Sequence, residues 1–122
     1  MAQVPHLDEL QPFTSEDGST IRELAHPSWT QAERQSLAEA SLPIGGETDE
    51  HYHPVAEEIY HFTAGSGRMR LVEEEFEVCA GHAVVIPPGT PHKLWNTGDQ
   101  PLVLLCCCSP AYQGDDTVLT GR

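Results

Sequence analysis

Two histidines and a glutamate stand close together in the stretch HYHPVAEEIYHF: His51, His53 and Glu58. Burying such groups without partners is expensive. On a strand His51 and His53 face the same side, because successive side chains alternate. Pro54 can end that strand, and a turn would then bring Glu58 back beside the two rings. Tyr60 and Phe62 would share the Glu58 face, with Glu57, Ile59 and His61 on the other. Two imidazoles and a carboxylate converging on one point suit a first-row divalent metal ion. The ion would neutralise the carboxylate and occupy ring nitrogens that burial would otherwise leave unpaired. A second stretch, GHAVVIPPGTPHKLWN, runs an apolar strand into a Pro-Pro-Gly turn and opens the next strand with His92, a candidate fourth ligand.

The elements that must position these residues read as β structure. From Ser19 onward come STIRELA, RQSLAEASLP, ETDEHYH, EEIYHFTA, RMRLVE, FEVC, AVVIP, HKLWN and PLVLLCCC. These are short runs rich in β-forming residues, separated by turn residues, the pattern of an all-β sandwich or barrel. RQSLAEASLP has helical propensity, but Pro43, Gly45 and Gly46 stop a helix quickly. The run Glu73–Glu75 reads as a solvated hairpin turn. Residues 1–18 are polar, with Pro5, Pro12 and Gly18, and read as an irregular N-terminal arm before a single domain over 19–122. In the tail, TVL (residues 117–119) is expected to pair as an edge strand or lie over the barrel mouth.

The two histidine-bearing stretches together resemble the cupin superfamily. Its first motif, G-x5-H-x-H-x(3,4)-E-x6-G, is matched over 45–65 by Gly45, His51, His53, Glu58 and Gly65. Its second, G-x5-P-x-G-x2-H-x3-N, is matched over 81–96 by Gly81, Pro87, Gly89, His92 and Asn96. The resemblance implies a small double-stranded β-helix, or jelly-roll barrel, with one divalent ion (Fe, Mn, Ni, Co or Zn) held by His51, His53, Glu58 and His92. The motif spacing selects Glu58 over its neighbour Glu57. His6, His26, His61 and His82 match no ligand position.

Three histidines and one carboxylate leave open positions on an octahedral ion. Such an ion can polarise a substrate oxygen, or bind O2 and substrate together. The expected activity is therefore that of a metal-dependent enzyme on a small organic molecule, dioxygenase-type chemistry standing slightly ahead of isomerase or lyase chemistry. The alternative is a non-catalytic binding or sensor domain. Tyr60 is the candidate catalytic proton donor. Arg22, Gln35, Tyr60, Phe62 and Leu94 are the candidate pocket residues, and an inward Arg22 would pair with a carboxylate substrate.

Bulk properties narrow the partners. The 122 residues carry 19 acidic and 6 basic groups, a formal net charge of −13. Such a surface repels nucleic-acid phosphates and anionic lipid, so no nucleic-acid or membrane partner is expected. No basic region followed by an apolar core opens the chain, and the protein is expected in the cytoplasm. Cys79, Cys106, Cys107 and Cys108 show no Cys-x-x-Cys spacing and read as small apolar filler. Trp95 should face away from His92 and, with Ile59 and other outward apolar groups, mark a subunit interface; the resemblance favours a homodimer.

Overall fold

The protein is described by a computed structural model covering residues 2–122. Its strands are β1 (Phe13–Thr14), β2 (Thr20–Ala25), β3 (Ser36–Leu42), β4 (His51–Tyr52), β5 (Glu57–Ala64), β6 (Ser66–Leu71), β7 (Glu74–Cys79), β8 (Ala83–Ile86), β9 (His92–Asn96), β10 (Leu102–Ser109) and β11 (Val118–Leu119). They form two antiparallel sheets. One runs β1-β2-β3-β10-β5-β8 and the other β11-β4-β9-β6-β7. The all-β jelly-roll expectation is met. Among the described residues no helix is long and apolar enough to cross a membrane.

Alternation builds the core. Along β5 the exposed residues Glu57, Ile59 and His61 alternate with buried Glu58, Tyr60 and Phe62. Phe62, Met69, Leu94, Leu102 and Leu104 are buried between the sheets. Burying each such side chain contributes roughly 1.5–3 kcal/mol.

The motif glycines and asparagine are structural. Gly65 joins β5 to β6 at φ +85°, and an added Cβ would lie 2.6 Å from the Pro101 carbonyl oxygen. Gly89, at φ +73°, donates its N–H to the His53 carbonyl oxygen at 2.8 Å. Only glycine adopts such angles without steric cost. Asn96 is buried, and its Nδ2 donates to the carbonyls of Leu42, Pro43 and Gln100 at 2.9–3.1 Å. Its Oδ1 accepts from Gly98 N at 2.9 Å.

Three expectations need correction. Residues 1–18 are not wholly an irregular arm: Phe13 and Thr14 pair with Ile21 and Thr20, and Asp17 is buried. The hairpin turn after β6 is Val72–Glu73, so Glu74 and Glu75 already belong to β7. Trp95 and Ile59 face outward from different sheets and cannot share one patch. The Trp95 ring is instead ringed by Arg68, Arg70 and Lys93, 5.1–5.6 Å from its centroid. The tail expectation resolves in favour of an edge strand, since β11 pairs with β4.

Candidate metal centre and cavity

His51 and His92 sit directly opposite each other on β4 and β9, in the smaller sheet. His53 follows β4 at the turn that Pro54 enforces. Glu58 reaches them from β5 in the larger sheet. The four side chains are buried, and one ligand atom from each lies within 4.8 Å of the others. The group therefore spans the gap between the sheets.

Hydrogen bonds orient the rings. Nδ1 of His51 donates to the Asp49 carbonyl, that of His53 to the Asp116 carbonyl and that of His92 to the Thr90 carbonyl, each at 2.9 Å. A carbonyl only accepts, so each neutral ring carries its proton on Nδ1 and aims an Nε2 lone pair at the cluster. Glu58 is fixed from its far side, where Cys108 Sγ donates to Oε2 at 3.2 Å. Its Oε1 faces Nε2 of His53 at 3.4 Å and of His92 at 3.5 Å.

The electrostatics agree with a cation-binding site. Burial acts to raise the Glu58 pKa, but the facing rings of His53 and His92 outweigh it and hold the carboxyl ionised. Burial lowers His51, and the neighbouring His92 adds to that. For His53, burial acts downward, but the close Glu58 carboxylate prevails and raises it. Even so, Glu58 Oε1 and His92 Nε2 are buried without a hydrogen-bond partner. Orphaned buried polar atoms are rare and call for an explanation. A divalent ion accepted by three imidazole nitrogens and one carboxylate oxygen is a fitting one, and the donor set matches first-row metals.

The cluster opens onto a partly open cavity between the sheets. Tyr60 and Leu94 line it, as does the alternating set Ser36, Ala38, Ala40 and Leu42 of β3. The small Ala38 and Ala40 leave room where larger residues would fill the barrel. The remaining pocket expectations are corrected. Arg22 faces away, because Ile21 and Glu23 take the inward positions of β2. Gln35 is exposed, one residue before inward-facing Ser36. Phe62 is fully buried one step deeper, edge-on to Tyr60 with centroids 6.2 Å apart, and does not line the cavity.

Three cavity residues escape sequence reasoning. Cys106 and Cys108 line the wall, and burial first, then the Glu58 charge, raises both thiols. They are polar neighbours of the cluster as well as filler. Asp17 is the third. It lies in SEDGS, whose Ser, Asp and Gly signal a turn but nothing more. Its Oδ2 sits 3.7 Å from His51 Nε2.

The sequence profile of the Cupin domain matches residues 38–108. The chain belongs to the cupin family. This cupin is 48% identical to an uncharacterized protein of Methanocaldococcus jannaschii over 110 residues, covering 90% of this chain and 88% of the other. It is 29% identical to the tetracenomycin polyketide synthase protein TcmJ of Streptomyces glaucescens, covering 85% and 69%. The polyketide cyclase RemF of Streptomyces resistomycificus superimposes with a TM-score of 0.79 at 24% identity, covering 89% of this chain and 80% of that one. At that identity the likeness concerns the fold.

Proposed function

We propose that this cupin is a metal-dependent enzyme acting on a small organic molecule held in the cavity between its sheets. The observation that carries the reading is the pair of partnerless buried atoms, Glu58 Oε1 and His92 Nε2, aimed at one point at the cavity floor. His51, His53, Glu58 and His92 would hold the ion. Bound there, a first-row ion supplies Lewis-acid polarisation of a substrate oxygen, or a site for O2.

The chain's own residues favour the first chemistry over the dioxygenase reading suggested by the ligand set alone. Tyr60 is buried, and burial followed by the Glu58 charge pushes its pKa well up. It stays protonated and can donate its O–H from the cavity wall. Leu94, Leu104 and Ile21 exclude water around it. The likeness to a polyketide synthase protein and to a polyketide cyclase supports proton-transfer chemistry on an oxygenated carbon compound.

A homodimer is part of the same proposal. Leu37, Cys107, Ile59 and Val85 lie side by side across four strands on the outer face of the larger sheet, and Ile59 and Val85 are 38% and 56% exposed.

The test is metal content by elemental mass spectrometry after reconstitution with each ion, on wild type and His92→Ala, paired with oxygen uptake and product detection. One ion per wild-type chain, lost in the variant, with turnover that consumes no oxygen is the expected result. Turnover tied to oxygen would restore the dioxygenase reading. Ligand binding without conversion would leave a binding domain. No metal uptake with any ion would end the metalloenzyme reading.

A further inference from the structure

The cavity is walled by carboxylates and apolar groups. Glu16, Asp17, Glu23 and Glu58 line it, and among the described residues no lysine or arginine does. With a divalent ion on the histidines, these four negative charges still exceed the two charges of the ion. The chain as a whole adds to that field with its net charge of −13. An anionic substrate entering here would meet repulsion and no counter-ion on the protein.

Asp17 gives the cavity a specific recognition point. It is 9% exposed, and its Oδ1 is fully engaged: it accepts from Ser15 Oγ at 2.6 Å, Ser19 N at 2.9 Å and Ser19 Oγ at 2.6 Å. Its backbone carbonyl accepts from Asp49 N at 2.8 Å, which ties the turn to the segment entering His51. These contacts leave Oδ2 without a donor hydrogen. It faces the cavity 3.7 Å from Nε2 of His51, the ring atom that faces the metal site. This oxygen opens onto the cavity with unused acceptor capacity, which a ligand O–H could fill in place of water.

We propose that the cavity selects an uncharged, largely apolar organic molecule carrying a hydroxyl, and that this hydroxyl donates to Asp17 Oδ2 beside the metal site. Ile21, Leu42 and Leu104 contact the apolar body, and Glu23 and Glu16 at the walls reject anions. Asp17 is thus a specificity-determining residue. The inference rests on the cavity being the substrate site of the proposed enzyme, but the ligand preference itself belongs to the protein walls and holds with or without the ion.

The experiment compares two near-isosteric probes, 3-hydroxybenzamide and 3-hydroxybenzoate, which differ in charge. Binding to the full chain is followed by NMR titration at neutral pH, in metal-free and zinc-loaded protein, alongside separate zinc titration. Wild type should bind the amide at least about tenfold more tightly than the carboxylate, and Asp17→Asn should cut that ratio by about tenfold or more. The asparagine Oδ1 preserves the three contacts of the turn and Nδ2 replaces the acceptor. Should that variant fail to fold, Glu23→Gln, which leaves the turn untouched, must lower the ratio by about threefold. A wild type that prefers 3-hydroxybenzoate, binds neither probe, or keeps its ratio in the folded variants overturns the proposal. Zinc binding that fails while the ratio holds would instead remove the metalloenzyme reading and leave this one standing.

Discussion

At the residue scale the metal cluster is a set of individually costly groups that become compatible only together. Truncating one should therefore be felt by the others. His92→Ala is expected to lower zinc affinity by at least about tenfold, read by competition with a chromophoric chelator, while circular dichroism stays that of a β-protein. Cys108→Ala tests the far side of Glu58. With the Sγ donor gone from Oε2, the carboxylate loses its fixed rotamer, and affinity should fall about tenfold, with restoration by Cys108→Ser. Unchanged affinity in the alanine variant would show that the thiol merely fills space. His51, His53 and Glu58 could be grouped from the sequence because their spacing is local, whereas His92, 34 residues after Glu58, was joined to them by the family resemblance. Asp17 was not legible, because only the folding of residues 13–19 onto the β2 edge and the segment before His51 brings it to the cluster. Arg22 and Gln35 were misplaced for a related reason. Ile21 and Leu24 have opposite parity in β2, as do Leu37 and Leu42 in β3, so alternation alone could not fix which face turns inward.

At the element scale two features set the stability of the smaller sheet. Val72, at φ +56°, holds the β6–β7 turn in a region that a β-branched residue resists. Val72→Asn should raise stability by about 1 kcal/mol, measured as a higher urea midpoint at unchanged slope. On the outer face of the same sheet, Glu50 and Arg70 form a buried pair, with Oε2 accepting from Nη2 at 2.8 Å and Nε at 3.2 Å. Thr120 Oγ1 donates to Oε1 at 2.7 Å. Burial acts to raise the Glu50 pKa, but Thr120 and Arg70 prevail and lower it. A lowered folded-state pKa means stability that is present above the ordinary value of 4.5 and lost as pH falls below it. Glu50→Gln should cost about 3 kcal/mol at neutral pH, because it strands a buried guanidinium. The gap between wild type and variant should narrow in acid, seen in urea melts on either side of the carboxylate range. A constant gap would mean that packing, and not charge, carries the effect. Short strands were readable from turn chemistry, but their order in the sheets was not, because β10 inserts between β3 and β5 from far along the chain. The Val72–Glu73 turn was not readable either, because neither residue is a usual turn former.

At the scale of the whole molecule the ligands come from both sheets, so an ion would clamp the barrel. Zinc at a hundredfold over its dissociation constant should add about 2.7 kcal/mol, raising the melting temperature by about 10 °C in wild type and by little in His92→Ala. The outer row at Ile59 and Val85 should hold two copies together. Light scattering should give twice the chain mass, and Ile59→Glu with Val85→Glu should give one chain that still binds zinc. A dimer interface and the cavity chemistry leave no mark in local spacing, so the sequence offered them only through the family resemblance and the candidate ligand set. The tail has a further consequence, in the order of synthesis. His53 is held by the Asp116 carbonyl, 63 residues later, and the Asp116 carboxylate also fixes the N–H groups of Val55 and Ala56 at 3.0 Å. At roughly 5–20 residues per second, a ribosome makes His53 about 3–13 s before its partner. During that interval the nascent chain carries its histidines without the contact that aims one of them. Any ion that the cluster takes up would meet His53 held by this contact only after synthesis has passed residue 116.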